Sequence, residues 1–109
     1  MYGHQGKLLK VNLSDGHVEE ESYSADYAEM FLGGNGFAAK MICDSVPADA
    51  DPLGPENTVV FTVGPLTDTP VWGSSRGHMA SISPLTGFFF DSNYGGQFAV
   101  AQKRAQISA

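Results

Sequence analysis

The sequence predicts an α+β fold, in which short helices accompany a mixed or antiparallel sheet. Three features support this prediction: a β-prone hairpin at residues 7–22, two short helical segments at 25–44, and further β-prone segments in the second half. The chain has 109 residues, which is the usual length of one domain.

The first predicted element is a β-hairpin. Lys7–Leu13 favours a strand, Ser14-Asp15-Gly16 supplies a turn, and His17–Ser22 returns as the second strand. Glutamates fill positions 19–21, and this run of charge suits an exposed edge because it discourages pairing with other sheets.

Two short helices are predicted next, separated by a glycine pair. Ser24 is a suitable N-cap for a helix over Ala25–Leu32, which ends at the glycines of 33–34. Apolar residues at helical spacing predict a second helix over Phe37–Asp44. Cys43 lies in this helix and is predicted to be a small buried residue.

The second half reads as strands separated by glycine- and proline-rich turns. Residues 47–57 form a predicted surface loop, and the apolar run Thr58–Val63 is typical of a strand buried on both faces. The later elements are a loop at 64–77, a strand over His78–Ser83, a turn at 83–87, a strand from Phe88–Phe90 and a helix over Gln97–Ala105. Trp72 and the phenylalanines 88–90 are predicted to be core or site-wall residues.

The composition excludes several classes of site and of protein. One cysteine permits no internal disulfide, no four-thiolate zinc site and no iron–sulfur cluster held by this chain alone. No apolar run approaches the ~18 residues of a membrane span, and residues 1–7 lack the apolar core of an export signal. The net charge of −6 argues against nucleic-acid binding. We therefore expect a cytoplasmic protein with no membrane or nucleic-acid partner.

Charge is unevenly distributed along the chain. Residues 1–56 carry ten acidic and three basic side chains, whereas residues 57–109 carry two acidic and three basic ones. Between Asp68 and Asp91 the only charged residue is Arg76. A neutral, glycine-rich half is typical of the wall of a buried site, although chance clustering in a short chain explains the same pattern.

Two segments of this neutral half have the chemistry of a ligand site. Small residues flank Arg76 in the sequence, and they leave backbone N–H groups and hydroxyls accessible to a ligand. The Arg76 guanidinium beside them can bind phosphate through two hydrogen bonds. Residues 93–96, Asn-Tyr-Gly-Gly, follow a predicted strand and allow a flat polar ligand to approach closely. We predict that the two segments face a shared pocket for a phosphorylated organic ligand. An exposed loop arginine and an ordinary turn are the alternatives.

Other motifs carry weaker signals. Residues 34–39 match a G-x-G-x-x-A dinucleotide fingerprint, but a helix precedes them where a strand is required, which favours a helix–turn–helix corner. His4, His17 and His78 lack the spacing of a metal site and are interpreted as surface or strand histidines. No pair of carboxylates and no Ser–His–Asp spacing indicates acid–base or nucleophilic catalysis.

Six blocks, in consistent order over nearly the whole chain, carry a family resemblance. They are Met1–Gly3 with Lys7–Leu13, then Phe31–Lys40, Asp51–Asn57, Gly64–Thr67, Ser83–Gly87 and Ser92–Gly96. Together they resemble the N-terminal domain of the tungsten-containing aldehyde ferredoxin oxidoreductases. The resemblance implies an α+β cradle of two similar halves, of which residues 1–109 form the first.

The resemblance also implies a cofactor and the residues that hold it. The cofactor is a tungsten (or molybdenum) bis-pterin with a bridging magnesium ion. Arg76 is expected to contact a pterin phosphate, Asn93 and Gly95 to contact the cofactor, and the Asn93 main-chain carbonyl to bind the magnesium. Tyr94 and Ile82 depart from the family, which usually has a small residue and a basic residue at these positions.

The implied reaction takes an aldehyde and water to a carboxylate, with electrons passing through a 4Fe–4S cluster to ferredoxin. The cluster belongs to later domains, so the remainder of the enzyme is an expected partner and the isolated chain is expected to be inactive. One alternative is a non-catalytic module that forms a homodimer in place of the missing half. A nucleotide-binding domain using residues 34–39 is a third hypothesis.

Overall fold

The computed structural model describes residues 3–109, so Met1 and Tyr2 of the first resemblance block lie outside the described residues. In chain order the elements are β1 (Lys7–Val11), β2 (Val18–Ser22), α1 (Ala25–Phe31), α2 (Asn35–Ser45), β3 (Val60–Val63), β4 (Gly77–Ile82), β5 (Phe89–Tyr94) and α3 (Phe98–Arg104). Strands β1 and β2 form an antiparallel hairpin, and β3-β4-β5 form an antiparallel sheet in that order. The predicted α+β class is confirmed.

The hairpin is shorter than predicted because its turn starts early. The Asn12 side-chain oxygen accepts a hydrogen bond from the Ser14 N–H at 2.9 Å, and the Asn12 N–H donates to the His17 carbonyl at 2.9 Å. The chain therefore reverses between Val11 and Val18, and every residue of β2 is exposed, as the acidic run predicts.

A sharp corner joins α1 to α2. The Ser24 hydroxyl accepts from the Tyr27 N–H at 3.1 Å, so Ser24 is the N-cap that the sequence predicts. Residues 32–34 all have positive φ, at 63°, 126° and 53°, which turns the chain within three residues. Helix α2 then begins at Asn35, two residues before its predicted start. The corner interpretation of residues 34–39 is confirmed, since helix α1 precedes them.

Helix α2 packs one face against the three-stranded sheet. Ala38 and Ile42 form a core cluster with Val60 of β3 and Ala80 of β4. Cys43 is exposed, so its predicted burial is wrong. It follows Ile42 by about 100° around the helix, which turns it away from the buried face.

One face of β3 is buried along its whole length, whereas the other is buried only at its end, so the predicted burial on both faces holds in part. Val60 and Thr62 are buried on one face; on the other, Val63 is buried but Phe61 is 42% exposed. There its ring meets the ring of Phe98 of α3, with centroids 5.7 Å apart. A short helix covers only part of this face, so the apolar run does not imply burial on both sides.

The C-terminal residues join the hairpin to the three-stranded sheet. The Ser108 N–H donates to the Lys7 carbonyl at 2.9 Å, and the Ser108 carbonyl accepts from the Val63 N–H at 3.0 Å. The Tyr23 hydroxyl lies 2.6 Å from the Ser108 hydroxyl in the interior. These bonds connect the two sheets, which share no strand–strand pairing.

The aromatic residues predicted to be core or site wall are mostly exposed. Trp72 is 99% exposed and Phe88 is 75% exposed, so the prediction is wrong for both. Trp72 lies in the long loop before β4, and Phe88 lies in the turn before β5. Phe89 is exposed and Phe90 is half-buried, because β5 is an edge strand of the sheet. None of the three helices within residues 3–109 is long and apolar enough to cross a bilayer.

Candidate ligand-binding site

A cavity of about 490 Å³ lies where the N-terminus of α2 meets the ends of β4 and β5. Its walls come from Gly34 and Asn35, the 64–67 loop, residues 76–78 and the side chains of Asp91 and Asn93. This volume falls in the ~300–1,000 Å³ range of small-molecule sites. All walls except the α2 N-terminus come from the neutral second half of the chain.

The structure brings Arg76 and Asn93 to this one cavity. Arg76 is exposed at its edge and forms no ion pair with any residue of the 3–109 range. Gly95 lies next to it, because a Cβ at Gly95 would be 3.7 Å from the Arg76 Nη1 atom. Asn93 belongs to β5, which continues to Tyr94, so the predicted turn starts later than expected.

Side-chain hydrogen bonds fasten the two arms of the 64–76 loop together. The buried Thr67 hydroxyl accepts from the Gly64 N–H at 3.2 Å and donates to the Arg76 carbonyl at 3.2 Å. The Ser75 hydroxyl accepts from the Asp68 N–H at 3.1 Å. These bonds fix the backbone from which the Arg76 side chain extends.

Two basic residues of α3, Lys103 and Arg104, form hydrogen bonds with the same loop. The Lys103 ammonium donates to the carbonyls of Gly64 at 2.8 Å and Pro65 at 3.3 Å, and also to the carbonyl of Gly3. Burial lowers the pKa of Lys103, and the nearby Asp68 carboxylate partly offsets this effect. Arg104 binds Asp68 through two hydrogen bonds of 2.9 and 3.1 Å, which lower the pKa of Asp68.

His78 is a cavity residue that the sequence analysis treated as ordinary. It lies in β4, is 7% exposed, and stands directly opposite Asn93 in β5. Its Nδ1 atom is 2.8 Å from the Asn93 side-chain oxygen. Its Nε2 atom is 3.4 Å from the Asp91 carboxylate, without the geometry of a hydrogen bond.

The sequence contains the signal that places His78 beside Asn93. The turn at 83–87 was predicted, and Ser83 pairs with Phe88 through an N–H···O bond of 2.8 Å. Five residues back along β4 from Ser83 and five residues forward along β5 from Phe88, the antiparallel register places residue 78 opposite residue 93. Of the other histidines, His17 is exposed, whereas His4 lies over the Phe37 ring with centroids 6.2 Å apart.

The Tyr94 ring occupies space that Gly77 leaves free. The two residues face each other across β4 and β5, and a Cβ at Gly77 would lie 2.2 Å from the Tyr94 ring. The Tyr94 hydroxyl is buried with no hydrogen-bond partner in residues 3–109. Burial also raises the pKa of Tyr94.

Residues 8–109 match the family described as aldehyde ferredoxin oxidoreductase, N-terminal domain. The chain belongs to this family. The predicted resemblance is thereby confirmed. The tungsten-containing aldehyde ferredoxin oxidoreductase of Thermococcus kodakarensis is 42% identical over 105 residues, covering 96% of this chain and 17% of the relative. The enzyme of the same name from Pyrococcus furiosus is 38% identical over 109 residues, covering 100% of this chain and 18% of the relative.

A solved structure shows the same fold for this family domain. The active-site complex BamBC of benzoyl coenzyme A reductase, bound to 1,5-dienoyl-CoA, superposes with a TM-score of 0.93 and 34% sequence identity. The match covers 98% of this chain and 16% of that chain. This family member therefore spans less than a fifth of the length of the relatives it matches.

Proposed function

We propose that this chain forms one wall of the pterin-cofactor site of a tungsten-dependent enzyme that oxidises aldehydes to carboxylates. The main support is the Arg76 guanidinium, which is free of ion pairs within residues 3–109 and shares a cavity with Asn93. Relatives named as tungsten-containing aldehyde ferredoxin oxidoreductases match over nearly the whole chain. Residues 1–109 then act as one partial cofactor-binding domain.

Each proposed contact suits the chemistry of the residue concerned. Arg76 donates two hydrogen bonds to a phosphate oxygen pair, the arrangement in which a guanidinium binds phosphate best. Gly95 has no side chain, so the ligand can approach the backbone beside Arg76. The main-chain carbonyl of Asn93 is an oxygen of the type that Mg²⁺ accepts as a ligand, and it would hold the magnesium ion that accompanies the pterin cofactor.

When bound, the tungsten cofactor supplies the two-electron chemistry that converts an aldehyde and water into a carboxylate, two electrons and three protons. The residues of this chain contribute binding and charge neutralisation. Cys43 is the single cysteine, whereas a 4Fe–4S cluster needs four ligands. The cluster, and with it the transfer of electrons to ferredoxin, is therefore assigned to other domains of the enzyme.

Exposed apolar side chains support the need for further domains. Large apolar residues more than half exposed include Leu13, Leu53, Trp72, Leu85, Phe88 and Phe98. Packing against the remainder of the enzyme would cover such surface. A homodimer would cover it too and is the second candidate. Measuring the molar mass of the 109-residue chain by light scattering distinguishes the two candidates, because a strictly monomeric chain contradicts the homodimer.

Aldehyde oxidation is preferred to the chemistry of the structural neighbour. The neighbour is named as a benzoyl coenzyme A reductase and is 34% identical, whereas the aldehyde ferredoxin oxidoreductases of T. kodakarensis and P. furiosus are 42% and 38% identical. An assay of the enzyme that contains this domain, with aldehydes and with benzoyl-CoA as substrates, distinguishes the two. The isolated chain is expected to give no aldehyde-dependent dye reduction.

The phosphate-binding role is tested by titrating the 109-residue chain with pyrophosphate. Arg76→Met removes a charged partner of the phosphate, so we expect affinity to fall by about tenfold or more. Lys10→Met is the matched control, because Lys10 lies on the hairpin and does not line the cavity. Equal affinities for both variants would contradict the proposed site.

A further inference from the structure

The cavity contains a carboxylate as well as a guanidinium. Asp91 of β5 lines the cavity together with Arg76, and its side chain is 44% exposed. Residues 57–109 carry only two acidic side chains, Asp68 and Asp91. Asp68 is bound by Arg104 through two hydrogen bonds, whereas no arginine or lysine within residues 3–109 pairs with Asp91. Asp91 is therefore the acidic group of this half that remains available to a ligand.

The basic group beside Asp91 does not satisfy its carboxylate. Nε2 of His78 lies 3.4 Å from the Asp91 carboxylate but forms no hydrogen bond with it. Across the strand pair Asp91 faces Ala80, which has no polar side chain. The two carboxylate oxygens accept hydrogen bonds only, and their charge repels a second anion. The ligand group that reaches Asp91 is thus a hydrogen-bond donor and not a phosphate.

The positions of the two charged groups set the length of such a ligand. The Arg76 Nη1 atom lies beside Gly95, because a Cβ there would be 3.7 Å away. Gly95 directly follows β5, and Asp91 lies four residues earlier in the chain. At ~3.3 Å per residue, about 13 Å of strand separates Asp91 from Gly95. One ligand contacts both groups only if an elongated organic part extends from the phosphate held by Arg76.

The wall between these two positions leaves room for a planar ring. Asn93 lies between them on β5, and its side-chain oxygen is 2.8 Å from His78 Nδ1. Gly34 and Gly64 contribute backbone without side chains to the cavity, and a Cβ at Gly34 would meet nothing within 4 Å. A ring can therefore approach this backbone closely.

We propose that Asp91 is a specificity-determining residue of this cavity, whose carboxylate accepts two parallel hydrogen bonds from the N–H edge of a heterocyclic ring that carries the phosphate. The amino group and the adjacent ring N–H of a pterin form such an edge. The inference rests on the proposed function, because it takes the phosphate and the pterin from there. A magnesium ion between Asp91 and the phosphate is the competing explanation, and the test separates the two.

Two matched probes measure this contact. Hydroxymethylpterin diphosphate carries the amino group, whereas hydroxymethyllumazine diphosphate has an oxo group in its place. Each is titrated into the 109-residue chain in EDTA, and again with magnesium. The variants are Asp91→Asn, which removes the charge with little change of shape, and Asp26→Asn, a control because Asp26 is exposed on α1 and does not line the cavity. Thermal unfolding establishes that each variant is folded.

The parent chain should bind the pterin compound about tenfold more tightly than the lumazine compound in EDTA, and Asp91→Asn should lose this preference while Asp26→Asn keeps it. Pyrophosphate is too short to reach Asp91, so its affinity for Asp91→Asn should stay within about threefold of the parent or increase. Equal binding of the two compounds by the parent, or the same preference in Asp91→Asn, overturns the inference. A loss in Asp91→Asn that appears only with magnesium also overturns it, because such a loss assigns Asp91 to the cation.

The Arg76→Met variant tests the proposed function independently. Loss of pyrophosphate affinity in Arg76→Met, with no effect of Asp91→Asn on the preference between the two compounds, leaves the proposed function standing and removes the inference. Unchanged pyrophosphate binding in Arg76→Met, or no binding by the parent, removes the proposed function and this inference with it.

Discussion

Replacing Gly77 by alanine should destabilise the fold, because the Tyr94 ring fills the space that the new methyl group needs. A Cβ at Gly77 would lie 2.2 Å from Cζ, 2.3 Å from Cε2 and 2.4 Å from the hydroxyl oxygen of Tyr94. The ring would have to move away from Phe61 and Phe98, whose centroids lie 6.4 and 5.9 Å from its own. Overpacking of this kind costs about 1–3 kcal/mol.

A double-mutant cycle isolates this contact. In a Tyr94→Ala background the methyl group that Gly77→Ala adds has room. Because Gly77 has no positive φ, Gly77→Ala should then stabilise the folded chain by about 0.4–1 kcal/mol. The coupling free energy between the two sites is then about 1.5–4 kcal/mol. Urea unfolding of the four proteins measures it. In thermal unfolding, 2 kcal/mol corresponds to a shift of roughly 9 °C for a chain of this length.

Tyr94→Phe is the control that separates the ring from its hydroxyl. Gly77→Ala should remain costly in this background, because the ring carbons alone come within 2.3 Å of the new methyl. Tyr94→Phe by itself should not destabilise the chain, since it removes a buried hydroxyl without a partner in residues 3–109. If Gly77→Ala costs the same with and without the Tyr94 ring, the steric argument is refuted.

Two further predictions concern the residues that anchor the 64–68 loop. Arg104 holds the pKa of Asp68 below its ordinary value of 3.8, so the pair contributes stability above pH 3.8 and loses it as the pH falls through the lowered pKa. The difference in melting temperature between the parent and Asp68→Asn should therefore shrink in acid, and a pH-independent difference would contradict this. Lys103→Met should cost about 2–3 kcal/mol in urea unfolding, because three carbonyls lose a charged donor. Lys7→Met, which breaks only the exposed pair with Glu20, should cost under about 1 kcal/mol, and equal costs would contradict the anchoring role.

Local signals in the sequence identified every helix and strand, within a few residues at each end. Capping by Ser24 and turn residues at 14–16 and 83–87 act over short distances, so they can be read without knowing the fold. Burial was harder to predict. Cys43, Phe61 and Trp72 are apolar or small, but their exposure depends on which neighbouring elements cover them.

The candidate site shows the same division between local and distant information. Arg76 and the 93–96 segment stood out because their residue types alone suit a ligand. His78 did not, because its significance depends on facing Asn93 across two strands. Lys103 was also missed, since its three carbonyl partners come from residues 3, 64 and 65, far away in the chain.

The amino-acid sequence by itself determined the element order, the family and the two segments that suit a phosphorylated ligand. Only the tertiary structure decided that Arg76 and Asn93 line one cavity and that His78 completes its wall. Local propensities depend on neighbours along the chain, whereas the cavity depends on strand register and on loop anchoring by α3. Those are interactions between distant residues, and they exist only once the chain is folded.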